Sequence, residues 1–220
     1  MTQNTSHAVM AQRHEPTDSI EDFPTPPWAT RALLEHVLIP HCMPRMRLLK
    51  QTVWEPSCNR GYMAKPLGEY FEVVAATDIA DYGWSGQDKV LDFLGPTATP
   101  TAVLGETWAD WVISNPPFNL AEEFIGRAFV YSRYGFAMLV RSTFAEGIGR
   151  YNRLFRDRPP SIDAQFVERV PMQKGRVNRK GKTATAYSWM VWSSEITVGA
   201  TKRLWIPPCR NKLEMDSDYD

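Results

Sequence analysis

At 220 residues, with 43% hydrophobic and 12% aromatic residues, the chain is long enough for one sizeable core and too short for two independent ones. Its 25 basic residues cancel its 25 acidic ones, and Cys42, Cys58 and Cys209 are scattered without a Cys-x-x-Cys pair, which argues against a disulfide framework or zinc knuckle and for a reducing compartment. With no run of about 18 apolar residues and no signal-like apolar stretch, the chain is expected to be cytoplasmic, with no membrane partner.

Residues 1–20 are polar and aperiodic and read as a disordered tail; residues 21–210 read as a single domain; residues 211–220, with the acidic "MDSDYD", read as a mobile tail. After the Pro-rich "DFPTPPW", the run "ATRALLEHVL" predicts a helix. Short apolar runs then alternate with helical stretches: "TVWEP", "GYMAKPLGEYF", "EVVAATD", "KVLDF", "DWVISN", "LAEEFIGRAFVYS" and "GFAMLVR". That alternation predicts a parallel sheet covered on both faces. "DAQFVERV" and "TATAYSWMVW" follow with no helix between them and predict an antiparallel hairpin at one edge, joined by the basic loop "PMQKGRVNRKGK". The expected fold is α/β and Rossmann-like, with seven mostly parallel strands, and residues 145–184 form a basic insert and hairpin loop.

In open α/β sheets ligands sit at the carboxyl ends of the strands. The first strand ends in Glu55-Pro56-Ser57-Cys58-Asn59-Arg60-Gly61, where Asn59 and Gly61 are the residue types most tolerant of positive φ. A phosphate is unwelcome beside Glu55, whereas a cation is favoured. Asp78 ends the second strand and suits a ribose diol, and Asp92-Phe93 offers an acceptor beside a flat ring for an amino-purine. Three acids at three strand ends describe a pocket for a ligand with ribose, adenine and a positive charge.

"WEPSCNRGYMAKPL", "ATDIADYG", "LDF" and "WVISNPPF", in this order and spacing, resemble the successive motifs of class I S-adenosylmethionine-dependent methyltransferases, in particular those acting on the N6 amine of DNA adenine. "DFPTPPWATRALLE" resembles the cofactor-contacting segment of one permutation class, and the region from Glu146 to Trp192 is similar to phage- and prophage-type members. The likeness covers roughly residues 22 to 210; Asn59 stands where the family usually has glycine. The resemblance implies S-adenosyl-L-methionine as cofactor, with Thr25, Pro26, Trp28, Glu55, Ser57, Asn59, Gly61, Asp78, Asp92 and Phe93 around it. It implies Asn115, Pro116, Pro117 and Phe118 as the catalytic tetrapeptide.

An exocyclic purine amine is a poor nucleophile, and two preorganised acceptors can hold its N–H groups through hydrogen bonds that strengthen as charge develops. The Asn115 side-chain oxygen and the Pro116 carbonyl are the candidates. Pro117 restricts the backbone before it, and Phe118 offers a stacking face. Asn119 and Glu122 are expected to cap the next helix. No histidine base is expected, since His7 and His14 lie in the tail and His36 and His41 on or after the first helix, and no metal site is expected.

From Arg150 to Lys182 there are ten basic residues against three acidic ones, a net charge near +7 that leaves the remainder near −7. With Tyr151, Phe155 and Phe166 interleaved, this region is expected to grip a nucleic-acid backbone, chiefly through Arg150, Arg153, Arg176, Arg179, Lys180 and Lys182. A duplex adenine must be flipped to reach such a pocket. DNA is the favoured substrate. The alternatives are an RNA base (adenine N6 or guanine N2), a protein glutamine amide, or a silent fold that binds nucleic acid or a partner protein. A monomer and a homodimer are both compatible with the sequence.

Overall fold

The alternating apolar runs assemble into one eight-stranded sheet in the order β3-β2-β1-β4-β5-β7-β6-β8. Its strands are β1 (Thr52–Glu55), β2 (Val73–Asp78), β3 (Lys89–Val90), β4 (Ala109–Ser114), β5 (Ser132–Arg141), β6 (Ile162–Phe166), β7 (Tyr187–Ser193) and β8 (Lys202–Ile206). The computed structural model describes residues 21–196 and 199–219; the expected 1–20 tail lies outside them. All strand pairings are parallel except those of β7 with β5 and β6.

Strands buried on both faces need apolar residues at consecutive positions, and β4, β5 and β7 have them. Trp111, Ile113, Ala137, Leu139, Trp189 and Val191 pack in one core cluster, and Val112, Phe136, Met138, Val140, Met190 and Trp192 in the other. The first cluster is covered by α1 (Pro27–Leu33), which continues through a π turn (Leu34–Leu38) into α2 (Ile39–His41). Pro27 opens this helix at a position that needs no N–H donor. The widened turn comes just before Pro40, which cannot supply the regular i to i−4 bond and crowds the preceding turn. The remaining helices are short, namely α3 (Arg45–Leu48), α4 (Ala64–Leu67), α5 (Pro100–Leu104), α7 (Ile148–Arg150) and α8 (Arg210–Leu213), apart from α6 (Ala121–Tyr131). α6 lays Ala121, Phe124, Ile125 and Ala128 on the second cluster.

Three expectations change. The sheet has eight strands rather than seven, because "KRLWI" adds β8 parallel to β6, and the antiparallel β6–β7 pair is therefore not at the edge. Asn119 and Glu122 do not cap α6: its N-cap is Leu120, without a side-chain cap, and Glu122 instead accepts from Arg150 and Arg153. The acidic end is packed rather than loose. Asp218 takes both terminal nitrogens of the buried Arg31 at 2.8 Å, and Glu69 takes Arg31 Nε and Nη2. Removing one partner of such a buried pair costs about 3–5 kcal/mol, so this clasp ties the end of the chain to α1.

Candidate active site

The sheet order reverses at β1, which lies between β2 and β4, so three carboxyl ends meet at the switch point where open α/β sheets bind ligands. Glu55, Asp78 and Asn115 stand at or just beyond those ends. They line one cavity together with Thr25, Ser57, Asn59, Asp92, Phe93, Pro116, Pro117 and Phe118. The three other expected cofactor residues do not line it. Pro26 is the N-cap of α1, Trp28 is fully buried edge-on against Phe166, and Gly61 serves the turn instead.

That turn has the expected geometry. Asn59 has φ 49° and Gly61 φ 77°. A Cβ at Gly61 would fall 2.4 Å from the Trp84 indole, so the glycine is required both by its backbone and by close approach. The Asn59 N–H donates to Asp78 Oδ2 at 2.9 Å and the Ala80 N–H to Asp78 Oδ1 at 3.2 Å, which orients the carboxylate at the end of β2. Ser57 Oγ bonds Ser114 Oγ and donates to the Asn115 carbonyl, bracing the β1 turn against the β4 turn.

Among the described residues, four carboxylates, Glu21, Glu55, Asp78 and Asp92, line this cavity, and no Lys, Arg or His does. Glu55 is 1% exposed and its Oε2 has no hydrogen-bond partner among the described residues. Burial, with Asp78 nearby, raises its pKa well above the ordinary carboxylate value. Asp78 is raised by burial too, although backbone N–H groups pull it back. A buried acceptor without a partner, in a field of one sign, fits a ligand that brings hydrogen-bond donors and positive charge. Phe93 contributes mainly its edge, for it is 2% exposed and its ring packs on Trp54 and Phe124 at 4.9 Å each.

Asn115 carries the second unmatched acceptor. Its Nδ2 donates to the Phe23 carbonyl at 2.9 Å, which fixes the amide orientation because a carbonyl can only accept. Oδ1 is then buried in the cavity wall without a partner among the described residues. The Phe118 N–H donates to Glu21 Oε2 at 2.7 Å, and the Phe118 ring lies between Phe23 (5.7 Å), Tyr187 (6.3 Å) and the Arg141 guanidinium (4.0 Å).

Glu21, Phe23, Tyr62, Ile79 and Tyr82 were not anticipated as lining residues. Ile79, 59% exposed immediately after Asp78, is an apolar residue at a strand end and could have been read from the sequence. Glu21 and Phe23 reach the tetrapeptide only through the tertiary fold.

The basic residues do not act as one patch. Arg150 and Arg153 share Glu122, while Arg179 pairs with Asp216 and Glu214 and lies over Tyr219. Arg176, Lys180 and Lys182 are exposed and form no ion pair among the described residues. Their loop touches the cavity's lead-in segment: Gly175 N–H donates to the Asp22 carbonyl, and Met172 Sδ lies 3.8 Å from Asn115 Nδ2.

No protein-family profile matches this sequence, and no curated protein does. Solved structures do match. A methyltransferase subunit of a type I restriction-modification system from Streptococcus thermophilus superposes with a TM-score of 0.59 at 12% identity, covering 91% of this chain and 52% of that one. A modification subunit assigned to a type I restriction enzyme from Vibrio vulnificus gives 0.54 at 13%, covering 97% and 53%. PH1948 of Pyrococcus horikoshii, assigned as an RNA methyltransferase, gives 0.53 at 14%, covering 76% and 84%. The chain spans about half the length of the two restriction-system subunits. At these identities the likeness shows the fold alone: a Rossmann-like α/β sheet, as in those structures. No helix among the described residues is long and apolar enough to cross a membrane.

Proposed function

We propose that the chain is an S-adenosylmethionine-dependent methyltransferase acting on the exocyclic N6 amine of adenine in DNA. The observation that carries this reading is Asn115 Oδ1, a buried acceptor with no partner among the described residues, in the wall of a largely apolar cavity whose charged lining residues are all carboxylates. An acceptor in that state costs about 1–3 kcal/mol unless a ligand donates to it, and a planar amine is the donor that the Asn-Pro-Pro-Phe turn fits.

Glu55, Asp78 and Asp92 would hold the cofactor, whose methyl, bound to a sulfonium, arrives already activated and needs no strong base. Ser57 braces the turn that carries Asn115. Asn115 Oδ1 and the Pro116 carbonyl accept from the amine and draw its nitrogen toward tetrahedral geometry. Phe118 and Phe23 close over the base and exclude water. Catalysis of this kind rests on proximity and orientation rather than on a general base. Two of the structural neighbours are subunits of type I restriction-modification systems, which supports DNA; the third, assigned as an RNA methyltransferase, keeps the RNA reading as the second possibility.

The test is incubation of the protein with tritiated S-adenosylmethionine and, separately, duplex DNA, single-stranded DNA and total RNA, followed by nucleoside digestion and mass spectrometry. N6-methyladenine from DNA is the expected product. Label confined to RNA replaces the substrate, and no label on any of the three overturns the reading.

A further inference from the structure

Behind the tetrapeptide lies a second, smaller cavity lined by Pro116, Phe118, Ala121, Val140, Arg141, Thr143, Phe144 and Arg150. It shares Pro116 and Phe118 with the acidic cavity, yet its charge is opposite: among the described residues two guanidiniums and no carboxylate line it. Each guanidinium is stacked 4.0 Å over an aromatic ring of the wall, Arg141 on Phe118 and Arg150 on Phe144. Arg150 is further fixed by donating to the Phe144 and Glu146 carbonyls, both at 2.8 Å. Its carboxylate partner, Glu122, is divided between it and Arg153. Arg141, the last residue of β5, is exposed and forms no ion pair among the described residues. One wall thus separates a space suited to a cation from a space suited to an anion.

We infer that this second cavity is a phosphate subsite, in which Arg141 and Arg150 hold a backbone phosphodiester of the strand that carries the target base. The inference rests on the proposed function and narrows it to a nucleic-acid substrate, for a glutamine side chain brings no anion to this position. Planar guanidiniums match phosphate oxygens in bidentate fashion. Thr143, which carries a hydroxyl, lines the same space. A base placed against Phe118 has its own phosphate within one nucleotide's reach, so the cavity lies where the strand must pass. Because Arg141 is stacked on Phe118, fixing the guanidinium on a phosphate also fixes the ring beside the amine. Arg141 is therefore a positioning residue as well as a phosphate ligand.

The test is equilibrium binding of a short duplex oligodeoxynucleotide and of its separated strands, over a range of salt, to the full chain and to R141Q and R141K, with calorimetric binding of S-adenosylmethionine measured in parallel. R141Q is expected to bind whichever form the full chain binds about tenfold more weakly. Its slope of log affinity against log salt should be shallower by about 0.7 on single strands or 0.9 on duplex. R141K, which keeps the charge, should retain most of the slope. An R141Q slope equal to that of the full chain overturns the subsite, and so does failure of the full chain to bind either form. Cofactor binding separates the two ideas. Arg141-dependent binding of the oligonucleotide without cofactor binding supports the subsite and overturns the methyltransferase reading; cofactor binding with an unchanged salt slope in R141Q does the reverse.

Discussion

Asn115 and Phe23 lie 92 residues apart and are joined by one hydrogen bond, from the Asn115 Nδ2 to the Phe23 carbonyl at 2.9 Å. That bond decides which end of the amide faces the cavity. It also ties the segment before α1 to the turn after β4, together with the Phe118 N–H bond to Glu21 and the contact between the Phe23 and Phe118 rings. The carboxyl end of the sheet is thereby roofed by a segment that precedes the first strand.

Replacing Asn115 separates catalysis from binding. Asn115→Ala removes the acceptor and should lower methyl transfer by about 10²–10³-fold, the range for loss of one preorganised polar group, with cofactor affinity changed by no more than a few-fold. Asn115→Asp keeps two acceptor oxygens but turns one against the Phe23 carbonyl, so it should lose activity and also loosen residues 21–25. Single-turnover kinetics and calorimetry on both variants check this. Parallel loss of cofactor binding in Asn115→Ala would make the residue structural.

Glu55 sets the stability of the empty protein against its affinity for a cation. Its carboxyl is raised in the folded state by burial and by Asp78. The folded form therefore keeps its proton where the unfolded form has lost it, and stability falls as pH rises from the ordinary carboxylate range toward the folded value. Glu55→Gln removes this dependence. The variant should melt higher than the parent at neutral pH, with the difference shrinking as pH falls toward the ordinary carboxylate value and gone below it. It should bind S-adenosylmethionine tenfold or more weakly, equivalent to about 1.4 kcal/mol. Thermal melts from acid to neutral pH with a cofactor titration check both halves; equal melts at neutral pH would mean that Glu55 meets a partner in solution.

Much of this arrangement was legible in the sequence because it is local. The strand-end acids, the positive-φ pair Asn59 and Gly61, and the Asn-Pro-Pro-Phe turn are read from adjacent residues, and a parallel sheet is required to gather strand ends at one edge. β8 escaped because "KRLWI" is short and largely exposed, with Trp205 at 65%. The hydrogen bonds of Glu21 to Phe118, across 97 residues, and of Arg31 to Asp218, across 187, belong to the tertiary fold, and no pattern in the chain announces them. The same holds for charge. The run from Arg150 to Lys182 reads as one basic patch, but Arg179 is spent on Asp216 and Glu214.

That division of labour is measurable. Arg176→Gln with Lys180→Gln should weaken oligonucleotide binding and flatten its salt dependence, since these side chains are exposed and without ion-pair partners among the described residues. Arg179→Gln should leave the salt slope nearly unchanged and instead release the segment around Asp216 and Tyr219, seen as faster amide hydrogen exchange there. An Arg179 variant with the largest loss of slope would return it to the substrate-binding set.

Gly61 gives a prediction about the turn itself. Alanine at φ 77° costs about 1–2 kcal/mol for the left-handed backbone. Its Cβ would also sit 2.4 Å from the Trp84 indole, an overpacking of about 1–3 kcal/mol. The two penalties have different remedies. Gly61→Ala should lower the melting temperature and shift Trp84 fluorescence toward a wetter environment. Adding Trp84→Ala should relieve the steric part alone, so that Gly61→Ala costs less in the Trp84→Ala background than in the parent, with the backbone part remaining. Because Asn59, two residues earlier, delivers its N–H to Asp78, the loss should carry through to the cofactor cavity as weaker S-adenosylmethionine binding. Four melting curves and four cofactor titrations complete the double-mutant cycle; full additivity would mean that the indole moves aside freely and that the backbone conformation alone requires glycine at position 61.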